Sequence, residues 1–544
     1  MFNKIKQFFQ NIGANVGMVN SLNEITDHPL IIADQSDYDR IDKWLEYYSD
    51  IFDPVDYQNT NGERKQRPYM SINMAKKVSN ELASLIFNEG VTISVPDDKS
   101  QAVLDDIFTN TGFYRVFGDY LESEFALGGL AIKPVWDTDS NSIDLVYVLA
   151  PNFYPSQYST NGVDGGCMAY TDVTQESGTS ITYTRLEFHT WNYNNDGTRT
   201  YHVHNELYRA ETGQGIVGIQ VPLNTFAKYE NLLPDQDFPT VTSPLFVYMK
   251  PNGMNNKNLN SALGASIYAN SIKTLKQISD AYDKFNWEIQ MGQRKVTVPE
   301  TMLEMPINKQ RQSTTQNDPR FMPKFDENQN VYLAVPNDSD NPTINVISPD
   351  IRSDEFIASI NHFLDTLEME LGFSGGTFSF NSAKSAITAT QVVSENSATF
   401  KTRKYQLNNV VDGLQSLVVA IFEMYNLNNP QTPLPVPDKN DVDVNFDDGV
   451  FQDKQAQLTY WLGIFNTGTI SKETFLEKGV GMSPDEAQSE IEQTESEAPT
   501  PVGMSDLGGA DQDIDDEGNG SDDSDNSDNS DNSDDSDDSD GSDD

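Results

Sequence analysis

The sequence predicts an α+β protein of several domains that ends in a disordered acidic tail. Three observations carry this. Helical stripes of apolar residues run through the N-terminal part to Leu127 and return from Ile267, short β-branched and aromatic runs replace them from Leu130 to about Lys250, and apolar residues become scarce beyond Glu497. A chain of 544 residues that is 37% hydrophobic and 10% aromatic can bury several cores and is too long for one.

Met1 to Ile12 sets Phe2, Ile5, Phe8 and Phe9 on one face beside Lys4 and Lys6. It lacks the continuous apolar run of a secretory signal and reads as an amphipathic docking helix. Ile41, Trp44, Leu45, Tyr48, Ile51 and Phe52 recur at spacings of three and four, as do Val78, Leu82, Leu85 and Ile86. Both sets predict helices with one buried face, the second capped by Ser71 and ended by Gly90. Val91 to Val95 reads as a strand, and two more helices are expected between Lys99 and Leu127. The runs Ser142 to Leu149, Ile181 to Trp191, Thr200 to Tyr208 and Leu245 to Met249, broken by Asn, Asp and Gly, predict an antiparallel β-rich region closed by a turn at Pro251-Asn252-Gly253.

The next stripe, Ile267, Ile272, Leu275, Ile278, Tyr282, Phe285 and Ile289, predicts a helix over Ser266 to Met291, about 39 Å long at 1.5 Å per residue. A second stripe joins Phe356, Ile357, Ile360, Phe363, Leu364, Leu367 and Leu371. Between them lie Pro- and Asn-rich residues with candidate strands at Lys295 to Val298 and Val331 to Val335, so the two helices leave and re-enter the body with a small cap between their far ends. A Gly- and Ser-rich loop follows from Gly372 to Phe380. A long helix is expected from Thr388 to Asn426, stopped by Pro430, Pro433, Pro435 and Pro437. Val442, Val444 and Phe446 alternate as a strand, and closing helices are expected over Gln452 to Phe465, Ser471 to Glu477 and from Ser483. The Ser/Asp repeats beyond cannot bury enough surface to offset the entropy of ordering.

Charge restricts function. Gly479 to Asp544 holds 24 Asp and Glu and no Lys or Arg, half of the formal net charge of -48, which leaves 60 acidic against 36 basic residues in the body. Such a body repels phosphate and has no counterion-release drive, so extensive DNA gripping is not expected. The single Cys167 excludes an intrachain disulfide and reads as a structural thiol. The longest apolar run outside the N-terminus, Leu417 to Phe422, falls far short of the ~20 residues of a membrane span.

No catalytic, cofactor or metal site is expected. Gly213 to Gly218 matches G-x-G-x-x-G, but strand-like Ile219, Val221 and Leu223 follow where a dinucleotide site needs a helix, so a hairpin is predicted. No Walker-type phosphate loop or G-x-S-x-G nucleophile elbow occurs, and Ser374 is no nucleophile. His202 and His204, with His189 nearby, lack a Cys or carboxylate at ligand spacing and read as surface or hydrogen-bonded histidines. Asp513, Asp515, Glu517 and Gly518 begin like a calcium loop, but Ser524 stands where a bidentate Glu belongs. Phe373, Phe378 and Phe380 read as loop packing rather than a base-stacking platform.

Three segments in order resemble phage portal proteins of tailed phages of Gram-positive bacteria: Arg67 to Lys77 running into Glu81 to Glu89, Pro244 to Asn252 followed by Leu263-Gly264-Ala265-Ser266-Ile267-Tyr268, and Gly375-Gly376-Thr377-Phe378-Ser379-Phe380 with Thr388 to Asn396. With the helices around them they span about residues 20 to 490, and the acidic tail lies outside the resemblance.

The resemblance implies a portal fold with a β-rich wing, a two-helix stem, a small α/β clip, a helical crown and the disordered tail. It implies a wing at 1–255, stem helices at 256–291 and 353–371, a clip at 292–352 and a tunnel loop at 372–386. A long wing and crown helix follows at 387–428, then a wing strand and crown helices at 429–497, and the tail at 498–544. The implied protein is a dodecameric ring at one capsid vertex of the virion, assembled in the host cytoplasm, through which double-stranded DNA is packaged and ejected. The implied partners are copies of itself, the terminase large subunit, a head-to-tail adaptor, the major capsid and scaffolding proteins, and DNA bound transiently and without sequence preference. No cofactor and no membrane span are implied. The residues expected at the DNA channel are Gly372, Ser374, Gly375, Gly376, Phe378 and Lys384, the last as a weak phosphate contact. An acidic enzyme with an unrecognised site and an acidic nucleic-acid mimic are the competing readings.

Overall fold

A computed structural model describes residues 21–58, 62–87, 91–160, 162–194, 196–292, 295–299, 333–335, 345–379, 397–446, 454–482 and 484–497. The expected docking helix at Met1 to Ile12, the cap residue Gly90, Phe380, Lys384, the start of the long helix at Thr388, the calcium-loop-like run at Asp513 and the acidic tail lie outside the described residues. The chain divides into two compact units, Met1–Asp453 and Lys454–Asp544.

The first unit begins with a strand, β1 (Ser21–Leu22), and a helix, α1 (Gln35–Ser49), whose Tyr38, Ile41, Trp44 and Tyr47 are buried. Helix α1 ends earlier than its stripe predicts. Asp50 adopts the left-handed conformation at φ 56, and Ile51, which continues the spacing, is 69% exposed. Asp is one of the few residues that tolerates that conformation, so a helix can stop there without glycine. A hairpin of β2 (Val55–Gln58) and β3 (Arg64–Arg67) leads to α2 (Met74–Phe87). Asn73 rather than Ser71 caps α2: its Oδ1 accepts from the Lys76 amide at 3.0 Å, while the Ser71 hydroxyl donates to Asp50. After β4 (Val91–Ser94) come α3 (Asp98–Asn110) and α4 (Phe113–Leu127). Glu122 of α4 accepts from Tyr48 at 2.6 Å, Asn80 at 2.7 Å and Lys76 at 3.1 Å, which ties α1, α2 and α4 together.

The β-rich region follows as the alternating runs predict. It comprises β5 (Leu130–Asp137), β6 (Ser142–Leu149), β7 (Phe153–Ser159), β8 (Gly162–Glu176), β9 (Thr179–Tyr193), β10 (Arg199–Glu211), β11 (Gly218–Val221), β12 (Asp235–Phe238) and β13 (Val247–Met249). One seven-stranded antiparallel sheet runs β1-β11-β10-β9-β8-β7, and β12 shares the outer edge of β10 with β11. Strands β13, β5 and β6 form a second, antiparallel sheet. The glycines of the G-x-G-x-x-G run occupy the turn between β10 and β11, where Gly213 and Gly215 take φ of 92 and 68. A side chain at Gly218 would meet the Arg209 carbonyl oxygen at 2.2 Å, so these glycines serve a hairpin.

Helix α5 (Ile272–Met291) starts six residues later than its stripe predicts and spans about 30 Å at 1.5 Å per residue. Ile267 and Tyr268 share its apolar spacing but are held by the body: the Ile267 amide donates to the Phe125 carbonyl and the Tyr268 hydroxyl to the Trp44 carbonyl. Three short strands come next, β14 (Lys295–Pro299), β15 (Leu333–Val335) and β16 (Asn345–Ile347), with β14 central, parallel to β15 and antiparallel to β16. Helix α6 (Ser353–Leu371) matches its stripe, and Gly372 ends it at φ 75. Contacts of Thr274 with Glu370, Phe285 with Phe356 and Glu288 with Arg352 run in opposite senses along the two chains, so α5 and α6 form an antiparallel pair.

Helix α7 (Ser397–Asn428) is the one described helix long and apolar enough to cross a membrane, but 56% of its apolar window is buried and Val410, Leu414, Leu417, Val418, Ile421 and Phe422 belong to the main core. It is a core helix. Pro251-Asn252-Gly253 grips it, with the Asn252 amide donating to Gln406 at 2.6 Å and its side chain to the Tyr405 carbonyl at 2.7 Å. Strand β17 (Asp443–Phe446) returns to pair with β4. The second unit holds α8 (Lys454–Asn466), α9 (Lys472–Phe475), which continues into a π turn at Leu476–Val480, and α10 (Pro484–Glu497). Phe465 stacks on Phe475 at 5.0 Å, and the Ser471 hydroxyl caps α9 by accepting from the Thr474 amide.

Candidate functional site

Five of the six residues expected at a DNA channel fall together on the segment that joins α6 to α7. Gly372 ends α6, and its carbonyl accepts from the Thr402 hydroxyl of α7 at 2.8 Å. Phe373 and Ser374 are buried, whereas Gly375 is exposed with open space around it. The Ser374 amide donates to Thr399 Oγ1 at 2.9 Å and its carbonyl accepts from Thr377 at 2.6 Å, so Ser374 fastens the loop to α7 and faces the protein. Gly376 takes φ 82, a conformation that favours glycine. Phe373 and Phe378 meet edge to face at 5.3 Å, as loop packing requires. Lys384 lies outside the described residues.

The residue that organises this root is Glu368, which the sequence reading did not single out. Its side chain is buried at 1% exposure, with one oxygen accepting from the Gly376 amide at 2.8 Å and the other from the Phe378 amide. A buried carboxylate that accepts two backbone N–H groups makes charge-assisted bonds, stronger than neutral ones. The signal was its spacing: Glu368 lies four residues after Leu364, on the stripe that α6 buries.

The helix pair that carries the loop is itself anchored by a motif residue. Arg67 donates to both carboxylate oxygens of Asp283 on α5, each at 2.6 Å, and lies over the Trp287 ring at 4.7 Å. The guanidinium, assisted by the Met70 amide, holds the Asp283 carboxyl below its usual range against the effect of burial. The Tyr69 hydroxyl donates to Asp280 one turn away at 2.7 Å. Leu263-Gly264-Ala265, from the second motif, passes so close to the end of α4 that a side chain at Gly264 would meet the Gly128 carbonyl oxygen at 2.3 Å.

The three histidines of β9 and β10 separate. His189 is paired with Val203 across β9 and β10, so it faces the side of the sheet opposite His202 and His204, where it bridges Glu187 and the Tyr201 hydroxyl at 2.9 Å each. Burial pushes the Glu187 carboxyl up, but Lys133, His189 and Arg185 outweigh it and hold the group well below its usual range. Cys167 is fully buried, and burial raises its thiol well above the ordinary value, as suits a structural thiol. His202 and His204 are hydrogen-bonded as expected, but the absence of a nearby carboxylate is corrected by the fold: β12 brings Asp235 and Asp237 alongside them.

A family model described as "Phage portal protein, SPP1 Gp6-like" matches residues 27–500. The chain belongs to that family. The match contains all three motif segments, and the Ser/Asp tail lies beyond it. Portal family membership makes the protein a structural component of the virion capsid with a portal role and not an enzyme. No curated protein matches the chain. Among solved structures, a chain of "Virion of native gene transfer agent (GTA) particle" aligns at 10% identity over 75% of this chain and 88% of its own, with a TM-score of 0.35, too low to bear on fold or function.

Proposed function

We propose that the chain is one subunit of a dodecameric portal ring at a single capsid vertex, through which double-stranded DNA is packaged and later ejected. Residues 1–255 form the wing, 256–291 and 353–371 the stem, 292–352 the clip and 372–386 the tunnel loop. Residues 387–428 form the wing and crown helix, 429–497 the wing strand and crown helices, and 498–544 an acidic appendage. The observation that carries the reading is the antiparallel pair α5 and α6, anchored at Arg67 and ending in a glycine loop rooted on Glu368, in a chain of the portal family.

A closed ring needs head-to-tail contacts between two different faces of each subunit. An acidic conduit guides DNA without holding it, because tight phosphate contacts would slow its passage. Lys384 supplies a weak phosphate contact on the loop, and with no phosphate loop in the sequence the driving energy comes from a partner. That partner is the terminase large subunit, which docks on the clip and is later replaced by a head-to-tail adaptor, while capsid and scaffolding proteins surround the ring. The ring assembles in the host cytoplasm.

The test is a packaging reaction depleted of this protein. DNA uptake should return only when the wild-type chain is supplied, and Lys384→Glu should alter packaging rate or packaged length. Full packaging without the chain would overturn the reading, and wild-type packaging by Lys384→Glu would remove the role of that lysine.

A further inference from the structure

Strand β12 is only four residues long and lies on the outer edge of β10, with His202 opposite Asp237 and His204 opposite Asp235. Side chains two residues apart on a strand share a face, so His202, His204 and Glu206 line one face of β10 beside Asp235 and Asp237. Asp235 Oδ1 lies 3.3 Å from His202 Nε2 and 2.7 Å from His204 Nδ1, and the candidate ligand atoms of these three residues all fall within 4.8 Å of one another. Bonds of about 2.0–2.1 Å in a tetrahedral zinc site put neighbouring ligand atoms roughly 3.3 Å apart. The spacing therefore needs only small adjustments.

The outer nitrogens are occupied. His202 Nδ1 is 2.8 Å from Asp237, and His204 Nε2 is 3.1 Å from Glu206. Glu206 is fixed in turn by the Tyr208 hydroxyl at 2.7 Å and by His28 at 3.2 Å. A neutral imidazole has one N–H. A cation that takes the place of the inner proton on each ring leaves the outer N–H donating to these carboxylates and satisfies Asp235 and both histidines. Carboxylates on the far nitrogen are also what orients metal-bound histidines.

We propose that His202 Nε2, His204 Nδ1 and a carboxylate oxygen of Asp235 bind a divalent cation of the zinc class, with water completing the coordination and Asp237 and Glu206 orienting the rings. The cation pins β12 to the edge of the main sheet. Imidazole ligands select against magnesium and calcium, which prefer all-oxygen sites.

The test uses the full-length chain, stripped with a chelator and titrated with Zn2+ by calorimetry in excess Mg2+, which occupies the acidic tail. One zinc per chain is expected, together with a rise in melting temperature, because the site forms only in the folded chain. Asp235→Asn, at an exposed side chain, and His204→Gln should each weaken binding at least ~10-fold, the scale seen when one supporting group of a metal site is lost. Co2+ in place of zinc should give the visible bands of a four-coordinate site. No zinc uptake above the Mg2+ background would overturn the proposal. So would uptake that is undiminished in a His202→Ala, His204→Ala double variant with a native circular dichroism spectrum.

Discussion

Replacing Glu368 with Gln tests whether the loop after α6 is held by a buried charge. The wild-type carboxylate accepts from the Gly376 and Phe378 amides at a site 1% exposed. Bonds to a charged group are worth about 1.5–3 kcal/mol each. Glutamine keeps one acceptor oxygen, now neutral, and turns an NH2 group toward the second amide. One charge-assisted bond is lost and the other weakened, a cost of about 2–3 kcal/mol. At 1.4 kcal/mol per factor of ten, amide exchange at Gly376 and Phe378 should accelerate about 30- to 150-fold. Amides of α7 that exchange by local openings which leave the loop closed should not change. Hydrogen exchange read by mass spectrometry on peptides covering 372–379 measures this. Exchange unchanged at those two amides would show that the carboxylate does not hold the loop.

Glu124 is fully buried with both carboxylate oxygens unpartnered, and burial pushes its carboxyl up to about 8. Its folded-state value exceeds the ordinary 4.5, so the fold is destabilised as pH rises between those values. The unfolding free energy of Glu124→Gln relative to wild type should rise by on the order of 4 kcal/mol from pH 5 to 8 in urea titrations, and parallel curves would contradict this. Gly264→Ala should lower stability by about 1–3 kcal/mol, since its methyl would meet the Gly128 carbonyl oxygen, and an unchanged urea midpoint would mean that the turn can move aside. Arg67→Met strands the buried Asp283 and should cost about 3–5 kcal/mol, whereas a loss under ~1 kcal/mol would show that α5 is anchored by other contacts.

Much of the fold was legible because it is written in local periodicity. The stripe from Phe356 to Leu371 ends at a glycine that must turn left-handed, and α6 follows it to the residue. The run Ser142 to Leu149 gives β6 with the same bounds. Periodicity misleads where tertiary contacts use the same residues differently. Ile267 and Tyr268 continue the α5 spacing but are tied to Phe125 and Trp44, and Ile51 continues the α1 spacing beyond the left-handed Asp50. The site was legible as a glycine loop, but not its fastening. Glu368 and Asp283 read as acids on helices, and only the fold shows that they receive loop amides and a guanidinium. Asp235 could not be joined to His204 from spacing, because the two meet through the register of β12 with β10, 31 residues apart.

A portal subunit must close with its copies into a ring. Electron microscopy of the purified full-length chain, with class averages viewed down the axis, tests this most directly. Closed rings of twelve subunits around a central channel are expected. Monomers with no ring at any protein or salt concentration would contradict this.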